Sequence, residues 1–413
     1  MISSVEVLNY KSLKYIRQNL NQFQILIGPN GAGKSTFLDV FALLQDILNE
    51  DVEKAVLSRA THLKELVWKG TSNSFEIAIE LKIPEKIKKS DYQFCRYEIQ
   101  ITVSEKEGIS IGYESLFLIK SEPYKETKKP ILSQDQMKKN YPETIIQKPQ
   151  KRSPPGWKKV IRRVSERLAH FFSETSKWNA PFGIKPQKTA LAFLQEDERF
   201  PISLWVKRIL SEGIQRLMLN SLKMREPCRP DTPETLQLDG SNLHRLVKIL
   251  KEKHLNRFSR WLNHVKLILP TLETFSIEER EVDRFLYLEG HFKEGLKLPS
   301  WMLSDGTLRF IALTLLAYLP LTDKIYLIEE PENGIHPKAL EYVYQSLSSI
   351  YDGQIFIATH SPILLQLAKP NDILCFKLTE DGTTKIIKGD EHPVLKEWRK
   401  EVNLGDLFAS GIL

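Results

Sequence analysis

The chain has 413 residues, of which 41% are hydrophobic and 27% charged, a length that allows two or three domains and a composition that excludes collagenous, mucin-like and wholly disordered chains. Its three cysteines, Cys95, Cys228 and Cys375, lie far apart without CxxC or Cys/His ligand spacing, which excludes a disulfide framework or a structural zinc site and points to a reducing cytoplasmic home. The net charge of +7 is local, because residues 120–168 hold 14 Lys/Arg against 5 Asp/Glu and the remainder is slightly negative.

In chain order, ISSVEVLNY near the N-terminus predicts an edge strand, and FQILI at Phe23–Ile27 predicts a short buried strand. GPNGAGKS follows at once, and Thr36–Leu48 then places Phe37, Val40, Phe41, Leu44 and Leu48 at helical spacing. FEIAIELKI and YEIQITV alternate as antiparallel strands covered on one face. The prolines at 123, 130, 142, 149, 154 and 155 make residues 121–157 a basic, irregular excursion. Within and beside it Lys148, Lys151, Arg152, Lys158 and Lys159 are candidate contacts to nucleic-acid phosphates; a solvated surface loop accounts for them equally well.

From Lys158 to about His264 the pattern is mainly helical, with Leu243, Leu246, Val247 and Leu250 forming one stripe. From about Thr274 strands return, and IYLIEE and QIFIATH carry the continuous apolar runs of parallel strands. The layout is α/β: residues 1–60 and 273–413 form one nucleotide-binding head, 61–120 a strand-rich extension, 121–157 the excursion and 158–272 a helical inserted domain. The N-terminus has no basic region followed by an apolar run, and Phe310–Leu321 is too short to cross a bilayer, so neither export nor membrane insertion is expected.

Four motifs carry chemistry. In GPNGAGKST, glycines let successive N–H groups face phosphate oxygens and a helix N-terminus adds positive potential, so Asn30, Gly31, Gly33, Lys34, Ser35 and Thr36 are the candidate ATP phosphate site. Lys34 reaches the β- and γ-phosphates and Ser35 ligates Mg2+. IYLIEEPE ends an apolar strand in two carboxylates, where a parallel sheet places its active site. Glu329 holds the Mg2+ shell through water, and Glu330 orients or deprotonates the attacking water. IFIATH ends in His360, placed to sense the γ-phosphate. LSDGTLR offers Ser304, Asp305 and Gly306 before an apolar helix, either as an anion site or as an ordinary N-cap.

Taken in order, GPNGAGKST, LSDGTLR, IYLIEEPENGIHP and IATHSP resemble the ABC-type ATPase heads of the RecF, SMC and OLD group, over roughly residues 1–50 and 295–375. The resemblance implies a P-loop ABC-type head with a mixed sheet, cofactors ATP and Mg2+, and a homodimer or higher oligomer in which Ser304, Asp305 and Gly306 meet ATP in trans. It places His336 at the dimer interface. Glu329, where many P-loop ATPases have Asp, and Asp305, where transporters usually have Gly, look like the OLD/RecF branch. The segment from His392 to the C-terminus is similar to the tails of stand-alone ATPases in bacterial defence and toxin-type operons. That resemblance implies an anti-phage ATPase with a separate nuclease or toxin effector, with RecF-like DNA repair and a low-turnover ATP-dependent scaffold as alternatives.

Overall fold

The computed structural model describes residues 1–88, 91–120, 141–147, 153–396 and 404–409. Its strands are β1 (Ile2–Tyr10), β2 (Leu13–Asn19), β3 (Phe23–Ile27), β4 (Ser74–Lys82), β5 (Phe94–Ser104) and β6 (Gly108–Ile119). They continue with β7 (Trp157–Ser165), β8 (Leu168–Phe172), β9 (Asn179–Gly183), β10 (Ile214–Leu217), β11 (Leu272–Glu279) and β12 (Leu286–Phe292). The last five are β13 (Lys297–Pro299), β14 (Lys324–Glu329), β15 (Gly353–Ala358), β16 (Ile373–Leu378) and β17 (Thr384–Lys388). The chain divides into two compact units, one of Met1–Asn21, Pro29–Ile214 and Phe376–Ile386, the other of Gln22–Gly28, Gln215–Cys375 and Ile387–Leu413.

The first unit is built on an antiparallel sheet of order β2-β1-β4-β5-β6-β7-β8-β9. ISSVEVLNY is therefore not an edge strand: β1 lies between β2 and β4, with Ser4 paired to Asn19 on one side and to Glu80 on the other. Its Ser4 and Glu6 side chains are buried too. Arg96 on β5 reaches Glu6, Glu80 and Glu98 at 2.9, 2.9 and 2.7 Å, so charges that read as a solvated face pair with one another inside. Burial works against the Arg96 charge, but the three carboxylates hold its pKa above the ordinary value.

Residues 157–183 form strands β7–β9 where the sequence pattern reads as helix. In β7 the consecutive Val160 and Ile161 are both buried and Arg163 turns inward to Glu114 at 3.6 Å. The helices expected in this region begin later, from Ala190, and include Leu243–Lys253 with its predicted stripe Leu243, Leu246, Val247 and Leu250 buried. The helix Lys34–Asn49 buries Phe37, Val40, Phe41, Leu44 and Leu48, as its spacing requires.

The six-stranded sheet runs β10-β14-β15-β3-β16-β17, and β14, β15, β3 and β16 pair in parallel. The second unit's main core gathers Trp261 and Phe275 with Phe310, Ile311 and Leu315 of the helix Asp305–Leu315 and Val343 and Leu347 of the helix Pro337–Ser348. A separate antiparallel sheet, β11-β12-β13, completes it. No helix among the described residues is long and apolar enough to cross a membrane.

Candidate nucleotide site

In the first unit the phosphate-loop motif forms a turn opening directly into the helix Lys34–Asn49. Gly31 and Gly33 have φ of 77° and 102°, the left-handed region open to glycine, and no side chain caps the helix N-terminus. A helix N-terminus of this kind carries the positive end of the helix dipole, which favours an anion. Lys34 is buried and its Nζ donates to the Pro29 carbonyl at 3.1 Å, while Asn30, Gly31 and Ser35 are exposed and Thr36 is half-buried. This geometry fits a polyphosphate, and the hydroxyl and carboxylate oxygens of Ser35 and Glu329 are hard donors of the kind Mg2+ takes.

The second turn of this helix is braced by Asp39, which sequence reasoning passed over. Its carboxylate accepts from Tyr10 at 2.6 Å and Lys11 at 2.6 Å, and from Arg59 Nε at 2.7 Å. Arg59 also reaches Asp46 at 2.6 Å. Burial pushes the Asp39 pKa up, but Arg59 and Lys11 more than offset this and leave it below the ordinary value. The stabilisation from this carboxylate is thus complete above its unfolded pKa and disappears as pH falls through the lower folded one. Asp39→Asn is expected to cost about 2–3 kcal/mol at pH 7. In urea unfolding followed from pH 7 to 3, its gap from wild type should begin to close only below about pH 4. A gap already closed at pH 6 would contradict this.

In the second unit the remaining motifs take their places from strand register. Glu329 at the end of β14 pairs with Ala358 at the end of β15, and Ala358 pairs with Leu26 of β3. The carboxylates Glu329 and Glu330 and the Thr359–His360 turn therefore leave neighbouring strands side by side at their carboxyl ends, the usual ligand edge of a parallel sheet. Glu329 and His360 are half-buried and Glu330 is exposed. Glu330 has φ of 47°, a conformation rare outside glycine and concentrated at functional sites. Its N–H donates to the Ala358 carbonyl at 2.8 Å, and Asn333 Nδ2 donates to its Oε2 at 2.7 Å.

Ser304 is the N-cap of the helix Asp305–Leu315, its hydroxyl accepting from Thr307 N–H at 3.2 Å. Ser304, Asp305, Gly306 and His336 all line a cavity of about 810 Å³ that also includes Lys338 and Arg225. Gly306 is required by close approach, since a Cβ there would sit 2.5 Å from the Gly334 carbonyl oxygen. His336 caps the helix Pro337–Ser348 by accepting from Lys338 N–H at 3.2 Å. Arg225, far away in sequence and without a local signal, bonds Asp305 at 2.7 Å and the Leu303 carbonyl at 3.0 Å. Asp305, where transporters usually have glycine, thereby has a structural partner.

Of the candidate nucleic-acid contacts, Lys148, Lys151 and Arg152 lie outside the described residues. Lys158 donates to the Glu174 carbonyl at 2.7 Å, and Lys159 is half-buried, with burial and the neighbouring Arg162 lowering its pKa.

Two solved structures share this architecture. An SMC head bound to the C-winged helix domain of ScpA matches with a TM-score of 0.52 and 13% identity, over 94% of this chain and 97% of that one. The Smc head with an extended coiled coil bound to the C-terminal domain of ScpA, derived from Pyrococcus furiosus, matches with a TM-score of 0.50 and 13% identity, over 94% and 95%. The fold is that of an SMC-type ATPase head. The family described as "AAA domain, putative AbiEii toxin, Type IV TA system" matches residues 23–108 and 150–366. The chain belongs to this family of AAA-type ATPase heads.

Proposed function

We propose that this head binds and hydrolyses ATP, dimerises around it, and uses the engaged state to control a separate effector protein in bacterial anti-phage defence. The observation that carries the hydrolytic reading is the strand register that aligns Glu329, Ala358 and Leu26 at one sheet edge. Lys34 and the N–H groups of the phosphate loop bind the ATP phosphates, and Glu330 accepts a proton from the attacking water. His360 contacts the γ-phosphate. Ser35, and Glu329 through water, would hold Mg2+, which would supply charge neutralisation at the phosphate oxygens. Ser304 and Gly306 of one head contact ATP bound by another, which gives the cavity beside them a ligand. Control of an effector is supported by the toxin–antitoxin description of the family and by the resemblance of the C-terminal segment to the tails of defence-type ATPases.

Turnover and binding of a fluorescent ATP analogue by Lys34→Ala and Glu330→Gln test this reading. Lys34→Ala should lose binding. Glu330→Gln should bind normally while turnover falls about 100–1,000-fold. Turnover untouched in Lys34→Ala would refute nucleotide hydrolysis at this loop, and wild-type turnover in Glu330→Gln would make the protein a nucleotide-dependent scaffold.

A further inference from the structure

The turns that follow β14 and β15 are joined by a carboxylate to which the hydrolytic scheme gives no task. Glu332 Oε1 accepts from the Thr359 hydroxyl at 2.7 Å and from the His360 backbone N–H at 2.8 Å. Thr359 is fully buried, and its hydroxyl in turn accepts from Ser361 N–H at 2.9 Å. Ser361 then caps the helix Pro362–Leu367 by accepting from Leu364 N–H at 3.4 Å. The backbone is therefore fixed on both sides of His360 and at His360 itself. On the facing turn, Glu330 donates its N–H to Ala358 and is held by Asn333, the residue next to Glu332.

We propose that Glu332 is the positioning residue for His360, tying the turn that carries the histidine to the turn that carries Glu330. The inference rests on the hydrolytic reading above and adds a residue to it. One carboxylate oxygen receiving both a side-chain and a backbone donor sets the direction in which His360 leaves the strand end, while Asn333 sets the Glu330 carboxylate. Because Glu332 and Asn333 are consecutive, the two settings are mechanically coupled. A shift in the Glu330 turn is transmitted to His360 through Glu332.

Removing Glu332 leaves the Thr359 hydroxyl and the His360 N–H without this acceptor, so the histidine turn loses its anchor while the phosphate loop is untouched. In Glu332→Ala, kcat for ATP should fall about 10–100-fold, the scale of a misplacement near 1 Å, with ATP affinity changed less than about twofold. Glu332→Gln keeps an oxygen in place for both donors and should retain turnover within about threefold of wild type. The Glu332→Ala/His360→Ala double variant should be no slower than His360→Ala, because both changes remove the same contribution. Should Glu332→Ala not fold, Glu332→Asp, one methylene shorter, makes the same comparison.

The proposal is overturned if the two losses multiply, if affinity falls as much as kcat, or if Glu332→Gln is as slow as Glu332→Ala. A wild-type protein that turns over ATP with Glu332→Ala at full rate overturns the positioning role alone. A wild-type protein without turnover, or with turnover indifferent to Lys34→Ala, overturns the hydrolytic reading and the positioning role with it.

Discussion

Gly33→Ala is expected to abolish ATP binding while the protein remains folded. Gly33 sits immediately before the helix Lys34–Asn49 with φ of 102°, which an L-residue adopts only under strain of about 1–3 kcal/mol. Space is lacking as well. An added Cβ would lie 2.3 Å from the Thr384 hydroxyl and 3.0 Å from the Ser12 hydroxyl. Those two hydroxyls bond each other at 2.9 Å, and Thr384 N–H bonds the Ser12 carbonyl at 2.9 Å, so the obstacle is a fixed pair. The turn must move, and with it the helix N-terminus and Lys34. Affinity for a fluorescent ATP analogue should drop at least about 100-fold, in line with the loss of several oriented N–H donors. Adding Thr384→Ala removes the closest collision but leaves the Ser12 hydroxyl and the positive φ, and should recover only part of the affinity. Wild-type affinity in Gly33→Ala would contradict this account of the loop.

The phosphate loop illustrates what the sequence makes legible. Its glycine spacing, the apolar run FQILI before it and the helical stripe after it are all local patterns, and all three appear in the structure as β3, a glycine-rich turn and the helix Lys34–Asn49. IYLIEE and QIFIATH were readable for the same reason. A strand buried on both faces is a continuous apolar run, and the structure pairs the two in parallel.

What escaped reading depends on partners distant in sequence. Glu6 and Arg96 meet at 2.9 Å although they are 90 residues apart, so β1 and β5 looked polar on a face that is in fact buried. Arg163 lies in the segment that reads as helical, yet it sits in β7 with its guanidinium enclosed with Glu114. Asp39 gave no local signal, because Tyr10, Lys11 and Arg59 come from other elements. Glu332 and Asn333 stood inside a motif already singled out, and only the positions of Thr359, His360 and Glu330 give them distinct tasks.

The central claim is that a single ATP is held by Lys34 of one head and Ser304 of another, and mixing two defective proteins tests it most directly. Lys34→Ala removes the phosphate-loop cation and leaves the signature loop intact. Ser304→Arg leaves Lys34 intact and fills the exposed start of the helix Asp305–Leu315 with a bulky cation. Each protein alone should be inactive, since every site in either homodimer contains one defect. In a mixed dimer one site pairs the intact Lys34 with the intact Ser304, while the other collects both defects. An equimolar mixture should therefore regain about a quarter of wild-type turnover after random exchange of subunits. Turnover no greater than the sum of the separate proteins would contradict a shared site and leave each head to hydrolyse ATP by itself.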